Sequence, residues 1–155
     1  MSPQYSEKES QIVPNREILP LIEESIGAGV PVRLTVRGGS MRPLLRDGRD
    51  VVTLHPCLPE MLKKGDVVFF RYKGTFILHR IVRIGELPEG GSREGAVMVT
   101  RGDAMKQTET AALGDAIALA ELPRLSLFRK VARYARYFCG LICHSLYARL
   151  CGDSL

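Results

Sequence analysis

The spacing of apolar residues changes from helical to alternating within the first 40 positions. Asn15 is a suitable N-cap for a helix that starts at residue 16, because Ile18, Ile22 and Ile26 recur at helical spacing. The largely polar residues 1–14 are expected to form a flexible arm before this helix. Over residues 32–37 apolar and polar side chains alternate, which predicts a half-buried β-strand.

Further strands are predicted along most of the remaining chain. The segments are 50–54, 66–72, 75–84, 96–100 and 115–122, and glycine-containing turns precede the first three of them. Short strands separated by tight turns are typical of antiparallel sheets. We therefore expect a mainly β domain over residues 15–123, with the N-terminal helix as part of it.

The C-terminal residues 124–155 return to helical spacing. Leu127 and Val131 fall near one side of the predicted helix, and Arg129 and Arg133 fall largely on the other. This basic amphipathic helix suits two alternatives. Its residues 124–150 could lie on an anionic membrane surface, or the helix could cover an open edge of the β domain with its arginines in solvent.

The charge distribution argues against several functions. The net charge is +5, but residues 1–123 carry 16 basic and 16 acidic side chains, so the surplus lies in the tail. Residues 1–123 are neutral overall, and the sequence has no known motif for binding in a nucleic-acid groove. We therefore do not expect a nucleic-acid partner. The sequence has no apolar run of spanning length and no secretion signal, so we expect a cytoplasmic or peripherally membrane-associated protein.

The four cysteines do not have the distribution of a disulfide framework, since three of them lie after residue 138. Cys139, Cys143 and His144 are close in sequence but lack a fourth ligand at a spacing that suits zinc. We expect reduced thiols, no metal and no cofactor.

A candidate nucleophile follows the first strand, in the run from Arg37 to Pro43. Gly38 and Gly39 allow a sharp turn and leave room for a substrate carbonyl, so the hydroxyl of Ser40 would be accessible at the strand end. The alternative interpretation is an ordinary loop, because glycine and serine are common in loops that have no catalytic role.

A base and an acid are available further along the chain. His79 has a side chain that can accept a proton near neutral pH, and by alternation it shares a strand face with Ile77 and Ile81. Asp103 follows a glycine after a later strand, and Glu109 lies in the same predicted loop. Either carboxylate could orient the imidazole. A buried structural histidine and a turn aspartate are the alternative interpretations.

Four segments together resemble the type I signal peptidases, in the branch found in archaea and the endoplasmic reticulum. They are Gly39-Ser40-Met41-Arg42-Pro43, Lys64-Gly65-Asp66-Val67-Val68-Phe69, His79-Arg80-Ile81-Val82 and Thr100-Arg101-Gly102-Asp103. The resemblance covers about residues 32–122. It implies a coiled antiparallel sheet or partial barrel, Ser40 as nucleophile, His79 as base and Asp103 as the assisting acid, with Glu109 at the position of a further family acid.

Three features depart from that family. Gly38 stands where the family usually has a serine whose hydroxyl helps bind the oxyanion, so the oxyanion would depend on backbone donors, chiefly the Ser40 amide. No membrane-spanning helix precedes the serine motif, and the second acid is Glu109 rather than aspartate.

The function expected from the resemblance is a serine endopeptidase that cleaves a leader or signal-like peptide by a Ser/His mechanism. Its pocket would be apolar, near Met41 and lined by Val67 or Phe69. One alternative is a non-catalytic peptide-binding module on the same scaffold. Another is a peptidase like the self-cleaving repressors of the DNA-damage response, for which Ala28-Gly29 would be the cleavage site.

Overall fold

The computed structural model describes residues 15–85, 96–127 and 129–139. One helix and seven strands form the domain: α1 (Asn15–Gly27), β1 (Val32–Thr35), β2 (Val51–Pro56), β3 (Val67–Tyr72), β4 (Thr75–Ile84), β5 (Val97–Arg101), β6 (Glu109–Ala112) and β7 (Ala116–Glu121). A second helix, α2, covers Leu127 and residues 129–139. The predicted arm at 1–14, residues 86–95 and the end of the tail from residue 140, including Cys143 and His144, lie outside the described residues.

The strands form one antiparallel sheet in the order β1-β2-β7-β3-β4-β5-β6. The described strands do not close into a barrel, because β1 and β6 lie at the two edges. This arrangement confirms the mainly β fold with one helix at each end. Sequence patterning does not predict β6, a segment that it places in a loop. Glu109–Ala112 lacks large β-forming side chains and becomes a strand by pairing with β5 at the sheet edge.

The central strands bury side chains on both faces. In β3, Val67 and Phe69 join one apolar cluster, whereas Val68 and Phe70 join a second cluster on the opposite face. Strand β4 alternates in the same way, so His79 lies on the face that Ile81 shares with the second cluster. Burial on both faces explains the four consecutive apolar residues 67–70 at the start of β3.

Helix α1 packs against the first cluster and ends in a glycine cap. Ile22 and Ile26 are buried, as their helical spacing predicts. Gly29 has a φ of 80°, and the amide of Val30 donates to the carbonyl of Ser25 at 2.9 Å, which caps the last turn. Ala28-Gly29, the cleavage site of the repressor-like alternative, is thus part of this cap.

Helix α2 turns its arginine side, not its apolar side, toward the sheet domain. Arg133 donates to both carboxylate oxygens of Asp50, at 2.8 and 3.1 Å, and to the carbonyl oxygen of Leu44 at 2.6 Å. On the other side of α2, Leu127 and Val131 are exposed. The expectation that the arginines are simply solvated is therefore wrong for Arg133, whose side chain is only 13% exposed.

Within residues 15–85, 96–127 and 129–139, no helix has the length and apolar character needed to cross a bilayer. Of the four cysteines, Cys57 and Cys139 are described, and both are free thiols.

Candidate functional site

Ser40 lies in the turn that follows β1, and the backbone on either side of it is firmly anchored. The amide of Val36 donates to the carbonyl of Asp50 at 2.9 Å, and the Val36 carbonyl accepts from Gly48 at 2.8 Å. The chain then turns at Gly38, whose φ of 91° is unfavourable for residues with a Cβ. Beyond Ser40, the side chain of Met41 enters the apolar core. Ser40 itself is half-buried.

His79 is held by an acid from the edge strand β6, which is separated from β4 by β5. It lies in β4 and is 5% exposed, and its Nδ1 is 2.9 Å from Oε2 of Glu109. The Thr100 hydroxyl donates to the same glutamate oxygen at 3.3 Å. Strands β5 and β6 pair Thr100 directly with Glu109, so the sheet register sets the position of the carboxylate.

The contact with Glu109 determines which nitrogen of His79 can act as a base. An ionised carboxylate only accepts hydrogen bonds, so Nδ1 must carry the proton. In the neutral imidazole, Nε2 is then left with a free lone pair. This is the tautomer that general-base catalysis by Nε2 requires.

Gly102 brings Nε2 of His79 and the serine turn to one place. A Cβ atom at position 102 would lie 2.7 Å from the Ser40 carbonyl oxygen and 2.9 Å from Nε2 of His79. The amide of Ala104 donates to the same Ser40 carbonyl at 2.8 Å, which ties this loop to the serine turn. The three segments therefore meet where only a glycine fits.

Asp103 makes no hydrogen bond or ion pair with His79. Its two carboxylate oxygens accept from Nε and Nη2 of Arg80, both at 2.8 Å, and Arg80 also donates to the Gly65 carbonyl at 2.7 Å. The hydrogen bond from Arg80 to Asp103 raises the pKa of Arg80 above its ordinary value, despite partial burial. The role of histidine partner that the resemblance gave to Asp103 thus belongs, in the geometry, to Glu109.

A pocket of about 300 Å³ lies between the serine turn and β4. Ser40 and His79 both line it, together with apolar groups from Met41, Phe76 and Leu78. We expected Val67 or Phe69 to line the pocket, but both are buried in the core instead. A larger cavity of about 680 Å³ lies beside α2 and contains neither Ser40 nor His79.

One wall of the pocket is formed by the first half of β4, whose edge on that side is left open and unpaired by the described strands. Four consecutive residues, 76–79, line it, so the wall includes strand edge as well as a side-chain face. Strand β3 pairs with residues 75–80 of β4 on one side, whereas β5 pairs with β4 only from Arg80 onward. Among the described strands, none pairs with residues 75–79 on the pocket side.

The donors available to an oxyanion are limited. The amide of Gly38 donates to Oδ1 of Asp47 at 3.0 Å, so it is already used. The amides of Gly39 and Ser40 donate to no group within the described part of the chain. The Ser40 amide is therefore free for the role that the sequence assigned to it.

Sequence reasoning did not give roles to three residues of this site. Gly102 and Thr100 lie in a motif already noted, and Arg80 follows the histidine, but their contacts depend on register and loop closure. Neither here nor anywhere else in residues 15–85, 96–127 and 129–139 do three His, Cys, Asp or Glu side chains converge as metal ligands.

Comparisons of the whole chain with protein-family models and with curated proteins find no match.

Proposed function

We propose that this protein is a serine endopeptidase in which Ser40 is the nucleophile and His79 the general base. The observation that carries the proposal is that both residues line one pocket while Glu109 holds Nδ1 of His79. Serine is a weak nucleophile unless a neighbouring base removes its proton, and a third group that orients the base completes such an arrangement.

The reaction would pass through an acyl-enzyme. As the Ser40 oxygen attacks the scissile carbonyl, Nε2 of His79 takes the hydroxyl proton, and Glu109 stabilises the resulting imidazolium. The free amide of Ser40 would donate to the developing oxyanion. The imidazolium then gives its proton to the leaving amine, and a water molecule activated by His79 hydrolyses the ester.

The substrate would bind as an extended strand. The open edge at residues 75–79 offers backbone groups to a peptide, in the manner of strand addition to a sheet edge. Met41, Phe76 and Leu78 give the pocket an apolar lining, and its volume suits small or medium apolar side chains before the cleaved bond. A leader or signal-like peptide has this character.

Digestion of a library of unstructured peptides tests this proposal. Mass spectrometry should show cleavage after small apolar residues by the wild-type protein and none by the Ser40→Ala variant. Equal cleavage by the two proteins, each shown to be folded by circular dichroism, would rule out Ser40 as the nucleophile.

A non-catalytic peptide-binding module is the second candidate. It is favoured by the engagement of the Gly38 amide with Asp47, together with the lack of a hydroxyl side chain at position 38, which leaves few oxyanion donors. The same library distinguishes the two functions. A binding module retains peptides in a pull-down equally well in its wild-type and Ser40→Ala forms and cleaves none of them, whereas Phe76→Asp abolishes the retention.

A further inference from the structure

A second cavity lies between α2 and the loop that follows the serine turn. Its volume is about 680 Å³, and we call it the arginine groove. Six arginines line it: Arg42, Arg46, Arg49, Arg129, Arg133 and Arg136. Among the described residues, Asp47 is the only acidic one in the lining. The first three arginines come from the loop and the other three from α2.

Two of the six guanidinium groups already share one carboxylate, that of Asp50, and these three side chains together keep a net charge of +1. Arg46 donates to Oδ1 of Asp50 at 3.0 Å, and Arg133 binds both oxygens of the same carboxylate. Asp50 is 6% exposed and is thus covered by the arginines it binds. This pairing fixes α2 against the loop and so holds the two walls of the groove together.

The other four arginines are available to a ligand. Within the described residues, the side chains of Arg42, Arg49, Arg129 and Arg136 have no hydrogen-bond or ion-pair partner, and all four residues are exposed. A folded domain does not gather unpaired like charges around one cavity without an electrostatic cost. A bound polyanion would remove that cost.

We propose that the arginine groove binds a ligand that carries at least two phosphate groups. A phosphate monoester carries a charge of about −1.5 to −2 at neutral pH, so two such groups balance four guanidinium groups. The planar guanidinium donates two parallel hydrogen bonds to phosphate oxygens, which lysine cannot do. This inference does not depend on the proposed peptidase activity, because neither Ser40 nor His79 lines the groove.

Such phosphates could be those of a soluble polyphosphate compound or those of lipid headgroups. The exposed apolar residues Leu127, Val131 and Phe138 lie on the side of α2 opposite Arg129 and Arg136, since the two sets are about half a turn apart. A membrane contacted by the apolar side would therefore face away from the groove. Titration with a soluble polyphosphate and sedimentation with vesicles distinguish a soluble ligand from a lipid headgroup.

The experiment measures binding of inorganic tripolyphosphate to the full chain by isothermal titration calorimetry. The double variant Arg129→Gln/Arg136→Gln should bind at least about tenfold more weakly, because each substitution removes a charge-assisted contact. The control Arg33→Gln/Arg83→Gln removes the same charge from exposed arginines outside the groove and should change the affinity less than about twofold. Ser40→Ala should bind like the wild type.

A parallel arm measures sedimentation of the same proteins with phosphatidic acid vesicles. Binding to tripolyphosphate with the stated variant dependence supports a soluble ligand, and the same dependence seen only with vesicles supports a lipid headgroup. Binding in neither arm overturns the proposal. Equal losses in the groove variant and the control variant also overturn it, because the attraction would then be a property of net charge alone. Tighter binding of a polyglutamate peptide than of tripolyphosphate would contradict the assignment to phosphate.

Discussion

Nδ1 of His79 lies 2.9 Å from Oε2 of Glu109, with one strand of the sheet between the two residues. Strand β5 lies between the two residues and supplies Thr100, which donates to the same carboxylate. Glu109 therefore receives two hydrogen bonds and has little freedom to move. The acid that orients the imidazole is part of the sheet rather than of a loop.

From this contact we predict that Glu109→Gln reduces acylation of Ser40 by about 100-fold to 10,000-fold, because the amide no longer enforces the Nδ1-protonated tautomer or stabilises the imidazolium. The rate of reaction with a fluorophosphonate measures the effect. The matched variant is Asp103→Asn, which disrupts the pair with Arg80 but leaves the imidazole partner in place. If Asp103→Asn has the larger effect on the acylation rate, the assignment of the acid is wrong.

Gly102→Ala tests the close approach of three segments. The added Cβ would lie under 3 Å from the Ser40 carbonyl, from Nε2 of His79 and from Cγ of Met105, so the loop or the imidazole must shift. We expect a loss of acylation of about 100-fold, since small displacements at a reacting centre are costly, and a destabilisation of about 1–3 kcal/mol.

The control for this substitution is Gly27→Ala at the end of α1. A Cβ there meets no atom within 4 Å, and the backbone does not have a positive φ. The acylation rate should therefore match that of wild type, and the free energy of unfolding should stay within about 1 kcal/mol of it. Retention of wild-type activity by Gly102→Ala would show that the serine turn and β4 are not tightly coupled through position 102.

The stability that Asp50 provides by binding α2 should be lost at acid pH. Burial alone would raise the pKa of Asp50, but hydrogen bonds from Arg46 and Arg133 hold it below its ordinary value of 3.8. A carboxyl whose folded-state pKa is lowered contributes stability above its unfolded pKa, and that contribution disappears as the pH falls through the folded-state pKa. Wild type should exceed Asp50→Asn in unfolding free energy by about 1.5–3 kcal/mol at neutral pH.

The difference between wild type and Asp50→Asn should shrink below about pH 4, as urea titrations across this range can measure. Glu121→Gln is the control, because it disrupts the exposed pair with His55 and should cost at most about 1 kcal/mol. A difference for Asp50→Asn that persists unchanged to about pH 2 would contradict the role given to its ionised form.

The two-sided core predicts a contrast between one buried and one exposed apolar residue. Ile81 is fully buried in the second cluster, so Ile81→Val should cost about 0.5–1.5 kcal/mol. Val131 is 59% exposed on α2, and Val131→Ala should change stability by less than about 0.5 kcal/mol. Chemical denaturation measures both. Equal costs would mean that the outer side of α2 is covered in solution.

Local patterning predicted most of the fold because period and turn chemistry are encoded in neighbouring residues. The helix at Asn15–Gly27 and the hairpin of β3 and β4 follow directly from such signals. Strand β6 was not predictable because its four residues form a strand only by pairing with β5. Local patterns do not encode such partners.

The candidate site was only partly predictable for the same reason. Ser40, His79 and Glu109 were identified from residue type and motif, but the choice between Asp103 and Glu109 depends on sheet register. The position of α2 was also not predictable. An amphipathic pattern indicates which residues share a side of a helix, but the buried partner Asp50, 83 residues away in sequence, decides which side faces the domain.

The most direct test of the central claim is reaction with a fluorophosphonate followed by intact-mass and peptide mass spectrometry. We expect one adduct, located on Ser40, which is absent in Ser40→Ala and forms at least about 100-fold more slowly in His79→Gln. A wild-type protein that gains no adduct, or gains it on another residue, would contradict the claim that His79 activates Ser40.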